Sequence, residues 1–236
     1  MIPIIIAGGD EAGRGAVLGP IVVSIVSISK GKEAKLARIG VRDSKMLTRK
    51  KRSFLYDEIY SIADEVKVYK IESSEINEAM KNKVSINELE ALNFAKLIDS
   101  LEKEPGCIFL DSPDVISERF GLRVSLFSKK PMLVKGIKAE RREREANPIK
   151  MVSEHKADSR YPVVSGASII AKVTRDAEIE KMEGDLGIEI GSGYPSDKYT
   201  IDAIRKSLGD GTLNGRLREY WKTLKYIRQR RIDEFL

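Results

Sequence analysis

Two short apolar runs in this chain lead into carboxylates, and that pattern restricts the folds open to it. Residues 2–6 are Ile apart from Pro3, and they run through Ala7-Gly8-Gly9 into Asp10-Glu11. Residues 107–110, Cys-Ile-Phe-Leu, end at Asp111. Runs of this length and content suit buried strands. Carboxylates at their carboxyl ends fall where α/β sheets collect their chemistry.

The rest of the chain reads the same way. Residues 21–28, 66–71 and 132–137 are further apolar runs that predict strands. Thr48 fits the cap of a helix presenting Leu55, Ile59 and Ile62 on one face. Ser85 with Glu88 makes a capping-box pattern. It opens a helix carrying Phe94, Leu97, Ile98 and Leu101, which Pro105-Gly106 ends. Pro162 suits a first helical turn, with Val163, Gly166, Ile170, Val173 and Ala177 on a shared face. Gly191-Ser192-Gly193 marks a loop, and residues 197–208 and 216–232 then read as helices. The chain is thus α/β first and helical last. Two regions are expected, 1–187 and 188–236.

Composition limits the function classes. Hydrophobic residues make up 42%, enough for a sizeable core, and charged residues 33%, above the roughly 25% usual. Gln229 is the single Gln; many charges with few labile side chains resemble a thermophile's profile. Net charge is +6, from 42 basic and 36 acidic residues. Such an excess suits a polyanionic partner without requiring one. Cys107, the lone Cys, cannot form an intrachain disulfide, which fits a reducing compartment. Apolar stretches fall short of the roughly 20 residues that span a bilayer, and the first residues lack the basic segment of a signal peptide. A soluble, cytoplasmic protein without membrane contact is expected.

Several residues could carry chemistry. In Asp10-Glu11-Ala12-Gly13-Arg14-Gly15 the acids alone could be a solvated turn. Beside them, however, Gly13 and Gly15 let a backbone approach a sugar or phosphate closely, and Arg14 offers a phosphate fork. Divalent metal would reconcile acids with anion-binding groups. Asp111 is either such a ligand or a helix cap, and Asp114 fits the first turn of the helix that follows. Asp158 is either a helix-flanking acid or a further metal ligand. His155, the one His, has no Cys cluster beside it and is read as structural. Basic runs lie at Lys45–Arg52, at 129–150 and at 216–231. The last includes Arg216, Arg218, Arg228, Arg230 and Arg231 beside Tyr220, Trp221 and Tyr226. These could bind phosphates and stack on sugars or bases, or be solvated helix faces. Tyr194 is a loop aromatic within a substrate's reach.

The block Asp10–Gly15 resembles the signature of type 2 ribonucleases H. The resemblance continues through Asp43-Ser44-Lys45, Phe109-Leu110-Asp111-Ser112 and the stretch from Glu154-His155-Lys156-Ala157-Asp158 to Ser165. It extends to Ala167–Val173 and to Gly191-Ser192-Gly193-Tyr194-Pro195-Ser196-Asp197. The blocks stand in family order, and the short form resembles archaeal-like ribonuclease HII. The resemblance implies a ribonuclease H-like mixed sheet flanked by helices, with a small helical C-terminal part contributing to substrate binding. It implies hydrolysis of the RNA strand of RNA–DNA hybrids and incision 5′ of ribonucleotides embedded in duplex DNA. Two Mg²⁺ or Mn²⁺ ions would take part, leaving 5′-phosphate and 3′-hydroxyl ends, and the enzyme would be a monomer. Asp10, Glu11, Asp111 and Asp158 match the metal-site acids. Gly13, Arg14 and Gly15 match the loop that reads the ribose 2′-OH, and Tyr194 the tyrosine packing on the next deoxyribose. Lys45 matches a phosphate-contacting lysine, and Ser165 and Ser168 stand where backbone contacts are plausible.

Three positions depart from the family pattern. Gly9 stands where a bulky aliphatic residue is usual, Met46 where a second Lys is common, and Gly166 in place of Ala. Two rival functions remain in view. A non-catalytic nucleic-acid-binding module would not need four acids. A metal-dependent phosphatase would not need the basic faces, and no Asp-x-Asp-x-Thr motif occurs.

Overall fold

A computed structural model describes residues 4–41, 47–137 and 147–233, with side chains to residue 229. Its strands are β1 Ile5–Ala12, β2 Ile21–Ser29, β3 Glu65–Ile71, β4 Cys107–Asp111, β5 Met132–Val134 and β6 Ile149–Glu154. Its helices are α1 Glu33–Arg38, α2 Arg49–Ile62, α3 Ser73–Lys81, α4 Ile86–Asp99, α5 Ser117–Phe127, α6 Ala157–Arg160, α7 Pro162–Leu186, α8 Lys198–Asp210 and α9 Lys222–Asp233. The six strands form one mixed sheet in the order β3-β2-β1-β4-β6-β5. β1 with β4, β4 with β6, and β5 with β6 pair in parallel.

Two compact units divide the chain, and neither is one continuous stretch. The first comprises Met1–Ala12, Val23–Tyr69 and Asn87–Val173; the second comprises Gly13–Val22, Lys70–Ile86 and Thr174–Leu236. The C-terminal helices therefore share a unit with two segments from much earlier in the chain.

In the first unit, Val26, Leu55, Ile59, Val163, Ala167 and Ile170 are part of one buried cluster. Thr48 caps α2 as its sequence predicts, its side chain accepting from the Lys51 N–H. The Ser24 hydroxyl on β2 donates to the Ala167 carbonyl on α7 at 2.7 Å. Glycine sets how closely β1 can be approached. A Cβ on Gly8 would lie 2.5 Å from the Val163 carbonyl carbon and the Val164 nitrogen. A Cβ on Gly9 would lie 2.6 Å from Leu110 Cδ2 and 2.9 Å from Phe94 Cε1. The space an aliphatic residue would take at position 9 is thus filled by neighbouring side chains. At Gly166 the nearest atom to a built Cβ is 3.6 Å away, so an Ala there would fit.

The second unit has its own core, in which Leu18, Ile179, Ile190, Ile204, Leu217 and Leu224 are buried. Asp197 caps α8 by accepting from the Tyr199 N–H, and Gly211, at φ +74°, ends it in a left-handed turn.

Several expectations need correction. β1 does not stop before the acids but continues through Asp10 and Glu11 to Ala12. β5 is only three residues long, because the chain turns at Gly136, φ +87°. The helix expected over 216–232 begins at Lys222; its first part is instead turns on either side of a single bridge between Leu217 and Leu18. Helices α1, α3 and α5 and strand β6 had no counterpart among the sequence-predicted elements, although Asp114 had hinted at a helix near α5.

Candidate metal centre and nucleic-acid contacts

Parallel register brings the first two acids together. Gly9 pairs with Leu110, so Asp10 and Asp111 stand one step further on, at the same end of neighbouring strands. Asp158 comes from α6, which starts just beyond β6 after Lys156 takes a left-handed conformation, φ 57°. Asp10, Asp111 and Asp158 each offer an oxygen, and these atoms lie within 4.8 Å of one another. The Ala157 N–H donates to Asp111 Oδ1 at 2.9 Å, so α6 orients the β4 carboxylate. The Glu11 N–H donates to Asp10 Oδ1 at 2.8 Å. Glu11 itself, half-buried on β1, is not one of the three clustered acids.

The charge of this cluster needs compensation. Asp10 and Asp158 are buried. Burial, and then the neighbouring Asp111 charge, push the Asp10 carboxyl up to about 7 from its ordinary 3.8. The Ser168 hydroxyl, the Lys172 ammonium and the Glu11 N–H work the other way. Lys172 Nζ donates to Ser168 Oγ at 2.6 Å, so a short polar chain runs from α7 to Asp10. An all-oxygen, mutually repelling set, two of its three members buried, is the donor chemistry of a hard divalent ion, and these residues fit one.

A proton and a cation then compete for one place. Between pH 3.8 and about 7 the folded metal-free chain keeps a proton at Asp10 that the unfolded chain has lost. Metal-free stability should therefore fall as pH rises through that window, and saturating divalent ion should flatten the fall. Calorimetric titration with Mn²⁺ is expected to show affinity rising across the window, with proton release at about pH 6. Affinity independent of pH would refute this.

The expected substrate-contacting residues fall in different places. Ser165 and Ser168 are buried. The Ser165 hydroxyl donates to the Asp158 carbonyl and Ser168 serves Asp10, so both hydroxyls are engaged inside the protein. Lys45, Met46 and the basic residues 138–146 lie outside the described residues. His155 is structural: its two ring nitrogens sit 3.2 and 3.3 Å from the Ser112 and Val115 carbonyls. Asp114 does not serve a helix's first turn; it is buried and bonds Asn87 and Arg123. Glu154 is held by Lys135 at 3.0 Å and Arg160 at 2.8 Å.

In the second unit, Gly13–Gly15 and Tyr194 come together. The Val17 N–H donates to the Gly193 carbonyl at 2.9 Å, and a Cβ on Gly15 would lie 3.8 Å from Tyr194 Cε1. Arg175, nearly fully buried, stacks on the Tyr194 ring at 4.7 Å and donates to the Ser192 carbonyl at 2.9 Å. Gly13, at φ +88°, leaves it room, since a Cβ there would sit 2.3 Å from its Nε. Sequence reasoning missed Arg175; a lone Arg on a helix carries no local sign of such packing. Arg218 is fully buried, so it is not part of the basic surface its neighbours suggested.

Comparison with known proteins agrees with this geometry. The family model described as ribonuclease HII matches residues 7–224. The ribonuclease HII of Pyrococcus abyssi is 39% identical over 226 residues, covering 95% of this chain and 92% of that protein. The crystal structure of ribonuclease H2 from Pyrococcus horikoshii OT3 superposes with a TM-score of 0.81 at 38% identity, over 96% of this chain and 98% of that one. The ribonuclease HII of Archaeoglobus fulgidus, solved in complex with PCNA, gives a TM-score of 0.77 at 36% identity, over 93% and 96% of the two chains. On this agreement of sequence, fold and acidic cluster, the chain belongs to the ribonuclease HII family, the endoribonucleases that cleave the RNA of RNA–DNA hybrids.

Proposed function

We propose that the chain cuts the RNA strand of RNA–DNA hybrids and incises 5′ of single ribonucleotides in duplex DNA, with two Mg²⁺ or Mn²⁺ ions at the acidic cluster. The observation that carries this reading is the trio of buried Asp10 and Asp158 with half-buried Asp111, their oxygens within 4.8 Å of one another. Glu11 is assigned as the fourth acid on its place beside Asp10. When bound, such ions supply a water of lowered pKa and stabilise charge on the leaving 3′-oxygen. The protein's own part is positional. Asp111 is oriented by the Ala157 N–H, Asp10 by Ser168 and the Glu11 N–H, and Asp158 stands on the helix whose carbonyl Ser165 holds.

Substrate choice is assigned to the second unit. Gly13, Arg14 and Gly15 read the ribose whose 5′ phosphate is cut, and Tyr194 packs on the deoxyribose that follows. Lys45 and the C-terminal region 188–236, including Arg228, supply phosphate contacts. The enzyme is read as a cytoplasmic monomer; among the described residues no helix is long and apolar enough to cross a membrane.

Cleavage mapping on a duplex holding one ribonucleotide tests this. With Mg²⁺ or Mn²⁺ the products should carry the ribonucleotide at the downstream 5′-phosphate end, and EDTA should stop the reaction. A ribonucleotide left on the upstream 3′ end would refute the polarity. Cleavage unaffected by EDTA would refute the metal.

A further inference from the structure

Arg218 has no exposed surface, and its guanidinium spends all three nitrogens on the loop between Gly13 and Pro20. Nε and Nη2 donate to the Gly19 carbonyl at 3.0 and 2.8 Å, and Nη1 donates to the Arg14 carbonyl at 3.1 Å. The Trp221 ring lies 5.0 Å from the guanidinium carbon. The surrounding backbone is tied to the same loop. The Arg218 N–H donates to the Val17 carbonyl at 3.0 Å, and the Gly19 N–H to the Arg216 carbonyl at 3.1 Å.

The consequence falls on Gly15. In a trans peptide the carbonyl and the following N–H point in opposite directions. The Arg14 carbonyl is drawn inward onto a buried cation, so the Gly15 N–H of the same peptide is turned away from it. Gly15 is exposed, and the Tyr194 ring edge lies beside it. An outward backbone donor thus stands next to an aromatic ring, a pairing able to bond a sugar oxygen and pack on a sugar.

We propose that Arg218 is a positioning residue for ribose recognition: it fixes the Arg14–Gly15 peptide so that the Gly15 N–H faces the 2′-oxygen. This rests on the substrate reading given above. A planar fork with three donors fixes the direction of both carbonyls. A Lys ammonium can reach two carbonyls, as Lys130 does with Ile98 and Leu101, but as a point charge on a flexible stem it does not fix the angle between them. The C-terminal segment would then contribute to ribose recognition from inside the protein, in addition to any phosphate contacts of its surface.

The test compares wild type with Arg218→Lys. The variant should lose about tenfold in kcat/KM on a duplex with one ribonucleotide, the scale of one lost charge-assisted hydrogen bond. Its Kd for an all-DNA duplex and its Mn²⁺ affinity should stay within about twofold of wild type, as for a change that spares the fold elsewhere. A merely structural role would shift all three together, and that result, or unchanged kcat/KM, overturns the proposal. If Arg218→Lys does not fold, amide exchange at Gly15 in the wild type decides. In EDTA, the single-ribonucleotide duplex should protect that amide and the all-DNA duplex should not; equal protection, or none, overturns the assignment. Wild type failing to cut at the ribonucleotide would defeat the substrate reading itself, an outcome distinct from wild type cutting while the variant keeps its efficiency.

Discussion

Asp111→Asn is expected to lower kcat by at least about a thousandfold, roughly 4 kcal/mol of barrier, while leaving duplex binding nearly unchanged. The Asn keeps the shape and the oxygen that accepts from the Ala157 N–H, so α6 stays in place. What it removes is one negative charge from a cluster where Asp10 already feels that charge. The Asp10 carboxyl should accordingly titrate at lower pH in the variant. Metal affinity should fall because one anionic ligand is gone, even though the proton at Asp10 competes less. Carbon-13 NMR of labelled carboxyls would follow the first effect, calorimetric titration with Mn²⁺ the second, and single-turnover cleavage at saturating Mn²⁺ the loss of kcat. Turnover retained within about tenfold, less than one charged ligand is worth, would remove Asp111 from the metal centre.

Much of this site was legible in the sequence because its chemistry is written in residue type. Asp10 stands out by its place at a strand end beside Gly13, Arg14 and Gly15, whereas Asp111 and Asp158 also fit helix-flanking roles and gain their assignment only through the family resemblance. The parallel pairing that joins Asp10 to Asp111 was not legible, since an acid at a strand's end fixes neither its neighbour nor its direction; the register of β1 on β4 supplies it. Other parts were not legible. β1 runs on through Gly8-Gly9 because both glycines pair with β4, at Phe109 and Leu110, and that pairing outweighs their poor strand propensity. Helix α3 depends on an unusual cap, Glu72 and Glu75 bonding each other's backbone N–H groups, which does not match the Ser/Thr pattern. Arg218 sits in a run of solvated cations, and only the folded loop shows that three backbone contacts bury it. Ser165 and Ser168 could be placed near the site, but not assigned to its interior, since a hydroxyl serves substrate and protein equally well.

Two glycine-to-alanine changes should act in opposite directions, and the larger effect belongs to Gly8. There the added methyl would meet backbone, 2.5 Å from the Val163 carbonyl carbon and the Val164 nitrogen. Backbone at the start of a helix cannot rotate aside as the tip of a side chain can. Relief requires β1 and the first turn of α7 to separate. Such overpacking costs about 3 kcal/mol, the upper part of the usual range, so Tm should drop by roughly 6–12 °C for a chain of this size. Asp10 lies two residues along the same strand, and Asp158 four residues before Pro162. Separation there pulls the acids apart, and Mn²⁺ affinity should fall with stability. Gly166→Ala is the contrasting case. Its methyl would rest 3.6 Å from Leu36 Cδ2, an ordinary contact, and Ala is the better helix former by up to about 1 kcal/mol. That variant should match or exceed wild-type Tm, with Mn²⁺ affinity unaltered. Thermal unfolding monitored by circular dichroism, with and without Mn²⁺, reads both. A Gly8→Ala variant as stable as wild type would show that the close approach of β1 to α7 can relax, and with it the argument that glycine at position 8 fixes the spacing of the acids.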